Sequence, residues 1–181
     1  MSTPVPEKDV VDLLLHQHDE IRRVVARVSA SGGADQGDAF QRLIGLIAAH
    51  ESAEEEVVHP ASRGAAGDAV VDAGLREERA ARRLLGELYE LGTDDPAFDT
   101  RFAEYAHTVL AHVLREERDE FPGLRRRTEP ARLRAMAGAV RAAEAAVPGG
   151  RPPPGRPPAT VFDTTRDAVR NWRRSQAGHR W

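Results

Sequence analysis

One residue pattern that occurs twice constrains the fold of this chain more than any other feature. Ala49-His50-x-x-x-Glu54-Glu55-x-x-x-x-Pro60 recurs 62 residues later as Ala111-His112-x-x-x-Glu116-Glu117-x-x-x-x-Pro122. In each copy a histidine and a glutamate lie four residues apart, so a helix stacks the imidazole and the carboxylate on one face, one turn apart. The repeat therefore predicts that a hairpin of two helices has been duplicated.

The remainder of the chain is also predicted to be helical. Ala, Leu, Arg and Glu dominate it, β-branched residues form no alternating runs, and clusters of Gly, Asp and Pro separate the segments. The predicted helices are Glu7 to Ala30, Gly37 to Val58, Asp68 to Leu91, Phe98 to Glu120 and Pro130 to Val147. We therefore expect an all-α fold, an antiparallel up-down four-helix bundle with an additional C-terminal helix.

A proline-rich stretch is predicted to end the bundle. Residues 148–158 read PGGRPPPGRPP, which predicts a semi-rigid extended linker between a bundle at 7–147 and a tail at 159–181. In the tail, Phe162 and Trp172 share one face of a short, arginine-rich amphipathic helix. This basic tail is the candidate surface for contact with a protein or a membrane surface.

Three of the predicted helices carry metal-competent side chains on their apolar faces. His18 lies in the apolar stripe of the first helix, His50 and Glu54 lie in that of the second, and His112 and Glu116 lie in that of the fourth. A carboxylate on a core face is costly unless it is paired or bound to a metal. The convergence predicts a metal site, and the alternative is a buried hydrogen-bond network that has lost its metal.

Two further histidines have the spacing used by another class of metal protein. Glu56 with His59, and Glu104 with His107, form Glu-x-x-His pairs, the motif of ferritin-like di-iron enzymes. Both pairs are predicted to point away from the apolar stripes. We therefore expect His59 and His107 to be surface or rim residues.

Composition excludes several chemistries. The chain contains no cysteine, which removes thiolate ligands, iron–sulfur clusters and disulfides and leaves only His and carboxylate ligands. The formal net charge is −3, from 26 basic and 29 acidic residues, so no global charge favours a nucleic acid partner.

The sequence carries no targeting or membrane signal that we recognise. The first ten residues, MSTPVPEKDV, have no signal-peptide character, and no apolar stretch is long enough to span a membrane. A cytoplasmic protein is the expectation.

Three separated motifs resemble those of the hemerythrin-like, HHE cation-binding family. They are QHDEIRRVV with His18, AHESAEEEVVHP and AHVLREERDEFP, and the similarity extends from about Val10 to Leu124. The resemblance implies a four-helix bundle that binds two irons through carboxylate bridges and histidines. By that resemblance His18 and His50 are ligands of one iron and His112 of the other. Glu54 and Glu116 are then the bridges.

The third helix departs from the family pattern. The family usually supplies a histidine there in the context Glu-Glu-His, whereas this sequence reads Glu77-Glu78-Arg79. Glu78 lies on the apolar stripe of that helix, so it is the candidate replacement ligand, while Arg79 is expected at the rim or near the bridging carboxylates. We therefore expect one or two irons, with manganese or zinc as alternatives because the ligand set is richer in oxygen.

The function implied by the resemblance is binding or sensing of a small oxidant such as dioxygen, nitric oxide or peroxide at the metal. The alternative, from a different class, is a bundle with a degenerate metal site that acts as a scaffold through its basic tail. Catalysis is the weaker expectation, because no dedicated acid or base group is evident beside the proposed ligands.

Overall fold

The computed structural model describes residues 8–177. Within that range the ordered elements are helices, and no strand is present. They are α1 (Val10–Ala30), α2 (Gly33–Ala53), α3 (His59–Arg63), α4 (Asp68–Leu91), α5 (Phe98–Arg115), α6 (Phe121–Arg127), α7 (Pro130–Ala146) and α8 (Pro158–Gln176).

Helices α1, α2, α4 and α5 form the bundle, and the predicted all-α bundle is confirmed. α1 packs on α2 and on α5, and α4 packs on α5. The predicted first residue of the first helix, Glu7, lies outside the described residues, and α1 begins at Val10 after an N-terminal cap. The Asp9 carboxylate accepts the Asp12 backbone N–H at 2.9 Å, and the Asp12 carboxylate accepts that of Asp9 at 3.1 Å, which satisfies two of the unpaired donors of the first turn.

The two repeat copies end in the same local distortion, a π-helical turn. One turn is Glu54–Val58, between α2 and α3, and the other is Glu116–Glu120, between α5 and α6. In each, the next backbone N–H donates to the carbonyl five residues back. A proline lacks the N–H that a regular helix needs, and here the wider turn lets the helix continue through Pro60 instead of ending before it.

The predicted bounds of the second helix are wrong at both ends. It begins four residues earlier than predicted, at Gly33, and the helical path continues past Val58 into α3. A π turn holds one residue more than an α turn, so it rotates every later side chain by about 100° around the helix axis. The rotation turns His59 toward the interior, where it is buried.

The apolar stripes of the bundle helices form its interior. On α1 the buried side chains include Val10, Leu14, Ile21, Val25 and Val28. On α4 they include Val71, Ala81, Leu85 and Leu88, and Glu78 interrupts this stripe with no exposed surface. Arg79, next to it, is exposed. A buried glutamate in an otherwise apolar stripe requires a partner inside the bundle.

The tail helix α8 packs against the bundle, although the sequence predicts that the folded domain ends at the proline-rich linker. α8 contacts α2, α4 and α7, and its apolar face, with Val161, Phe162 and Val169, is buried. The Thr165 hydroxyl, also buried, donates to the Ala48 carbonyl of α2 at 3.0 Å. An amphipathic helix gains stability by covering apolar surface, and α2 supplies that surface. Residues 178–181 of the predicted tail lie outside the described residues.

The first three residues of the proline-rich stretch form a turn. Residues Pro148–Gly150 form a 3₁₀ turn. This turn lies directly on α2, since a Cβ added to Gly45 would come within 2.2 Å of the Gly150 carbonyl oxygen. Gly45 therefore permits a backbone contact that no other residue would allow, and the contact returns the chain toward α8.

Across residues 8–177, we find no helix with the length and apolar character needed to cross a membrane.

Candidate metal centre

Four histidines direct the same ring nitrogen toward one point inside the bundle. His18 is on α1, His50 on α2, His59 on α3 and His112 on α5, and each is at most 2% exposed. Glu116 oxygens lie 3.4 Å from Nε2 of His18 and 3.3 Å from Nε2 of His112. Nε2 of His50 lies 3.1 Å from Glu54, and Nε2 of His59 lies 2.5 Å from Glu78. Imidazole nitrogens and carboxylate oxygens therefore surround a common interior space, in which His18 Nε2 and His50 Nε2 lie 3.2 Å apart.

The outer nitrogen of each ring has its own acceptor. His18 Nδ1 contacts Glu117 Oε1 at 2.8 Å, His50 Nδ1 contacts Gln17 Oε1 at 3.0 Å, His59 Nδ1 contacts Glu120 Oε1 at 2.9 Å, and His112 Nδ1 contacts Glu77 Oε2 at 3.4 Å. An oxygen acceptor at Nδ1 favours the tautomer with the proton there, which leaves the Nε2 lone pair free for a cation. The rings of His18, His50 and His59 are thus oriented as metal-ligating histidines are, while His112 Nδ1 also lies 3.4 Å from the Arg115 guanidinium.

The carboxylates at the centre lack the hydrogen-bond partners that burial demands. Both side-chain oxygens of Glu54 and of Glu116, one oxygen of Glu78 and the Nε2 of His112 are buried without a hydrogen bond. A buried polar atom without a partner costs about 1–3 kcal/mol, and more when charged. So many unpartnered atoms facing one space are the donor set of a cation site, and the residues present fit a metal.

The ligand atoms divide into two overlapping groups. His18, His50, Glu54 and Glu116 form one group, and Glu54, His59, Glu78 and Glu116 form the other, with the ligand atoms of each group within 4.8 Å of one another. Both groups include Glu54 and Glu116. Two cation positions that share two carboxylates are the arrangement expected for a bridged pair of ions.

The two shared carboxylates, Glu54 and Glu116, have their pKa values shifted in opposite directions. Burial and the neighbouring Glu116 raise the pKa of Glu54 well above its ordinary value. Burial alone would raise the pKa of Glu116, but the facing imidazoles, led by His112, lower it to about 2. A cation would have to displace the proton of Glu54, so binding is coupled to proton release.

Two histidines of the centre also differ in pKa. Burial, assisted by His18, lowers the pKa of His50 well below its ordinary value. Burial alone would lower the pKa of His59, but its hydrogen bonds to Glu120 and Glu78 raise it to about 12. Without a cation, His59 therefore holds a proton between two buried carboxylates, and a cation at Nε2 would replace that proton.

The six ligands predicted from the sequence lie together at this centre: His18, His50, Glu54, Glu78, His112 and Glu116. Their role as ligands stays a prediction. Arg79 is exposed and does not reach the carboxylates, and His107 is exposed, as expected.

The prediction that His59 lies at the surface or rim is wrong. A regular helix places His59 about 180° from His50, but the π turn rotates it into the position that residue 58 would otherwise occupy, above Glu54. The signal that could have found it is the proline that follows each repeat copy at the same spacing. A proline there requires a local break in the helical hydrogen bonds.

Two polar chains link the centre to the surface. The Arg22 guanidinium contacts the Glu117 carboxylate at 2.8 Å, and that carboxylate accepts from His18. On the other side, Arg115 pairs with Glu77, the acceptor of His112. Such outer partners fix ring orientation and increase the basicity of the ligating nitrogen.

Comparisons with known proteins identify the family and the fold. Residues 9–124 match the model of the hemerythrin HHE cation binding domain. The fold is similar to the crystal structure of a hemerythrin HHE cation binding domain-containing protein from Mycobacterium kansasii, with a TM-score of 0.68, 16% identity, and coverage of 92% of this chain and 93% of that one.

A curated relative, a DNA nickase from Nostoc sp., is 24% identical over 120 residues, which is 66% of this chain. This chain spans only 34% of the length of that relative.

Proposed function

Because this chain belongs to the hemerythrin HHE cation-binding domain family, we propose that it holds two iron ions and binds or senses a small oxidant such as dioxygen, nitric oxide or peroxide. One observation carries the proposal: two groups of buried ligands share Glu54 and Glu116, whose side-chain oxygens accept no hydrogen bond. An iron pair supplies reversible redox chemistry and affinity for such ligands.

The protein's own residues supply the site. Glu54 and Glu116 would bridge the ions, while His18 and His50 would hold one of them. His59 and Glu78, with His112 beside them, would hold the other. A donor set of nitrogen and oxygen without sulfur suits iron and also accepts manganese or zinc.

The burial of the centre favours a small ligand. Every proposed ligand residue is at most 2% exposed, so the buried centre favours a ligand as small as a diatomic molecule or peroxide, whereas a phosphodiester backbone would require the helices to separate. For this reason we do not extend to this chain the activity named for the Nostoc relative.

The scaffold alternative has less support. It depends on a tail with a free apolar face, but Phe162 and Val169 are buried against the bundle. Two tail arginines are paired with bundle carboxylates, Arg166 with Glu55 at 3.1 Å and Arg170 with Glu56 at 2.7 Å. A tail docked in this way does not offer its apolar face to a partner.

Optical spectroscopy tests the proposed function. Ferrous protein exposed to oxygen is expected to develop a charge-transfer band, and His50→Ala should abolish it because it removes a ligand of the first ion. The matched control is His107→Ala, an exposed histidine outside the centre, which should retain the band. Fully iron-loaded protein that shows no band would rule out the proposed oxidant binding.

A further inference from the structure

The tail helix α8 binds the first π turn, Glu54–Val58, through two arginines. Arg170 Nε lies 2.7 Å from one carboxylate oxygen of Glu56, and Arg173 Nη1 lies 3.4 Å from the other. The Glu56 side chain is only 11% exposed, so these guanidiniums are the charges that offset its burial. The helix that provides them lies beyond residues 9–124, which match the family model.

Arg173 also supplies a hydrogen bond that the helix itself cannot make. In a regular α-helix the Glu56 carbonyl accepts the backbone N–H of residue 60, but Pro60 has no N–H. Arg173 Nη1 donates to this carbonyl at 2.9 Å. A backbone carbonyl without a partner is costly when it is shielded from water. Arg173 therefore provides, from another helix, the donor that Pro60 lacks.

The first π turn differs from the second because it places a metal-competent side chain. His59 follows the first turn, and the repeat spacing of 62 residues makes Phe121 its counterpart after the second. Phe121 stacks on the His18 ring at 5.3 Å, whereas His59 joins the second ligand group with Glu78. A regular helix would turn His59 away from the interior. Its position therefore depends on the turn that α8 binds.

We propose that Arg170 and Arg173 are positioning residues for the second cation position, because they hold the first π turn and so keep His59 inside the bundle. They act through the carboxylate and the carbonyl of Glu56. The role of His59 as a ligand rests on the proposed function, but its placement is a property of the chain without metal. Release of α8 should therefore affect the second cation position and spare the first.

Acylation by diethyl pyrocarbonate, mapped by mass spectrometry, tests the placement in the full chain without metal. His59 is 2% exposed and should react slowly in the wild type. In Arg170→Met/Arg173→Met, which removes the charges and donors but keeps long side chains, His59 should react at least about tenfold faster because the turn opens locally. His18 and His50 should stay protected, whereas a general loss of the fold would expose them too.

The matched control is Arg156→Met/Arg174→Met. It removes the same charge from two exposed arginines, of which Arg174 donates to Asn171 within α8. His59 should remain as protected in this control as in the wild type. Unchanged reactivity of His59 in the folded Arg170→Met/Arg173→Met variant would overturn the proposal.

Iron loading of the same proteins provides the second measurement. The Arg170→Met/Arg173→Met variant should hold about one iron per chain, while the wild type and the control should hold two. A folded variant that retains both irons would also overturn the proposal. A wild type that binds no iron would contradict the proposed function instead, and acylation of the metal-free chain would still test the placement of His59.

A further variant decides the question if the arginine variant does not fold, which reactive His18 and His50 would reveal. Glu56→Met leaves α8 unchanged and removes the carboxylate that both arginines bind. It should increase the reactivity of His59 by about threefold, a smaller effect because the bond from Arg173 to the carbonyl remains. A folded Glu56→Met protein in which His59 stays fully protected would contradict the proposal.

Discussion

The double variant Glu54→Gln/Glu116→Gln is expected to bind no iron and to lose the stabilisation that iron gives to the wild type. Both carboxylates belong to both ligand groups, so their neutral isosteres remove the bridges from each ion at once. A ligand present at 1,000 times its dissociation constant stabilises the folded state by about 4 kcal/mol. For a chain of this size that corresponds to roughly 8–16 °C in Tm.

Calorimetry with and without a chelator measures this effect. Metal removal should lower the Tm of the wild type and leave that of the double variant unchanged. The matched control is Glu87→Gln/Glu90→Gln, which neutralises two exposed carboxylates on α4 and should behave like the wild type. Equal chelator-induced shifts in the bridging variant and the wild type would show that these carboxylates do not hold the metal.

The second large effect is expected at the tail helix. Phe162→Ala should destabilise the fold by about 3–5 kcal/mol, the usual cost of truncating a buried phenylalanine. Phe162 is 2% exposed, and the Arg82 guanidinium lies 4.3 Å from its ring centroid. Arg82 also binds the buried Glu51 at 2.6 Å, so loss of the ring would open a charged pair to solvent.

Denaturant unfolding measures this cost, with Leu114→Ala as the control. Leu114 is a large apolar residue that is 59% exposed, and its truncation should change the free energy of unfolding by no more than about 0.5 kcal/mol. Equal stability of the two variants would mean that α8 does not dock on the bundle in solution.

The sequence was sufficient for the bundle because amphipathic spacing is local information. His50 with Glu54, and His112 with Glu116, are one turn apart in any α-helix, so their common face follows from the spacing alone. The same holds for Glu78, which shares the stripe of Leu85. These positions depend only on regular helical geometry.

His59 and α8 depend on information that periodicity does not contain. The π turn before His59 departs from the regular helical period, and a single inserted residue turns a surface position into a core position. For α8, an apolar face predicts that the helix is covered but does not say by what. Gly45 and Gly150, which allow the chain to return to α2, are individually unremarkable in the sequence.

Iron content per chain, measured by elemental analysis after loading, tests the central claim most directly. The account predicts two irons in the wild type, about one in His59→Ala, which removes a ligand of the second ion, and two in the exposed control His107→Ala. It also predicts almost none in His50→Ala/His112→Ala. A wild type that holds no more iron than this last variant would contradict the account and leave the buried histidines and glutamates as a metal-free network.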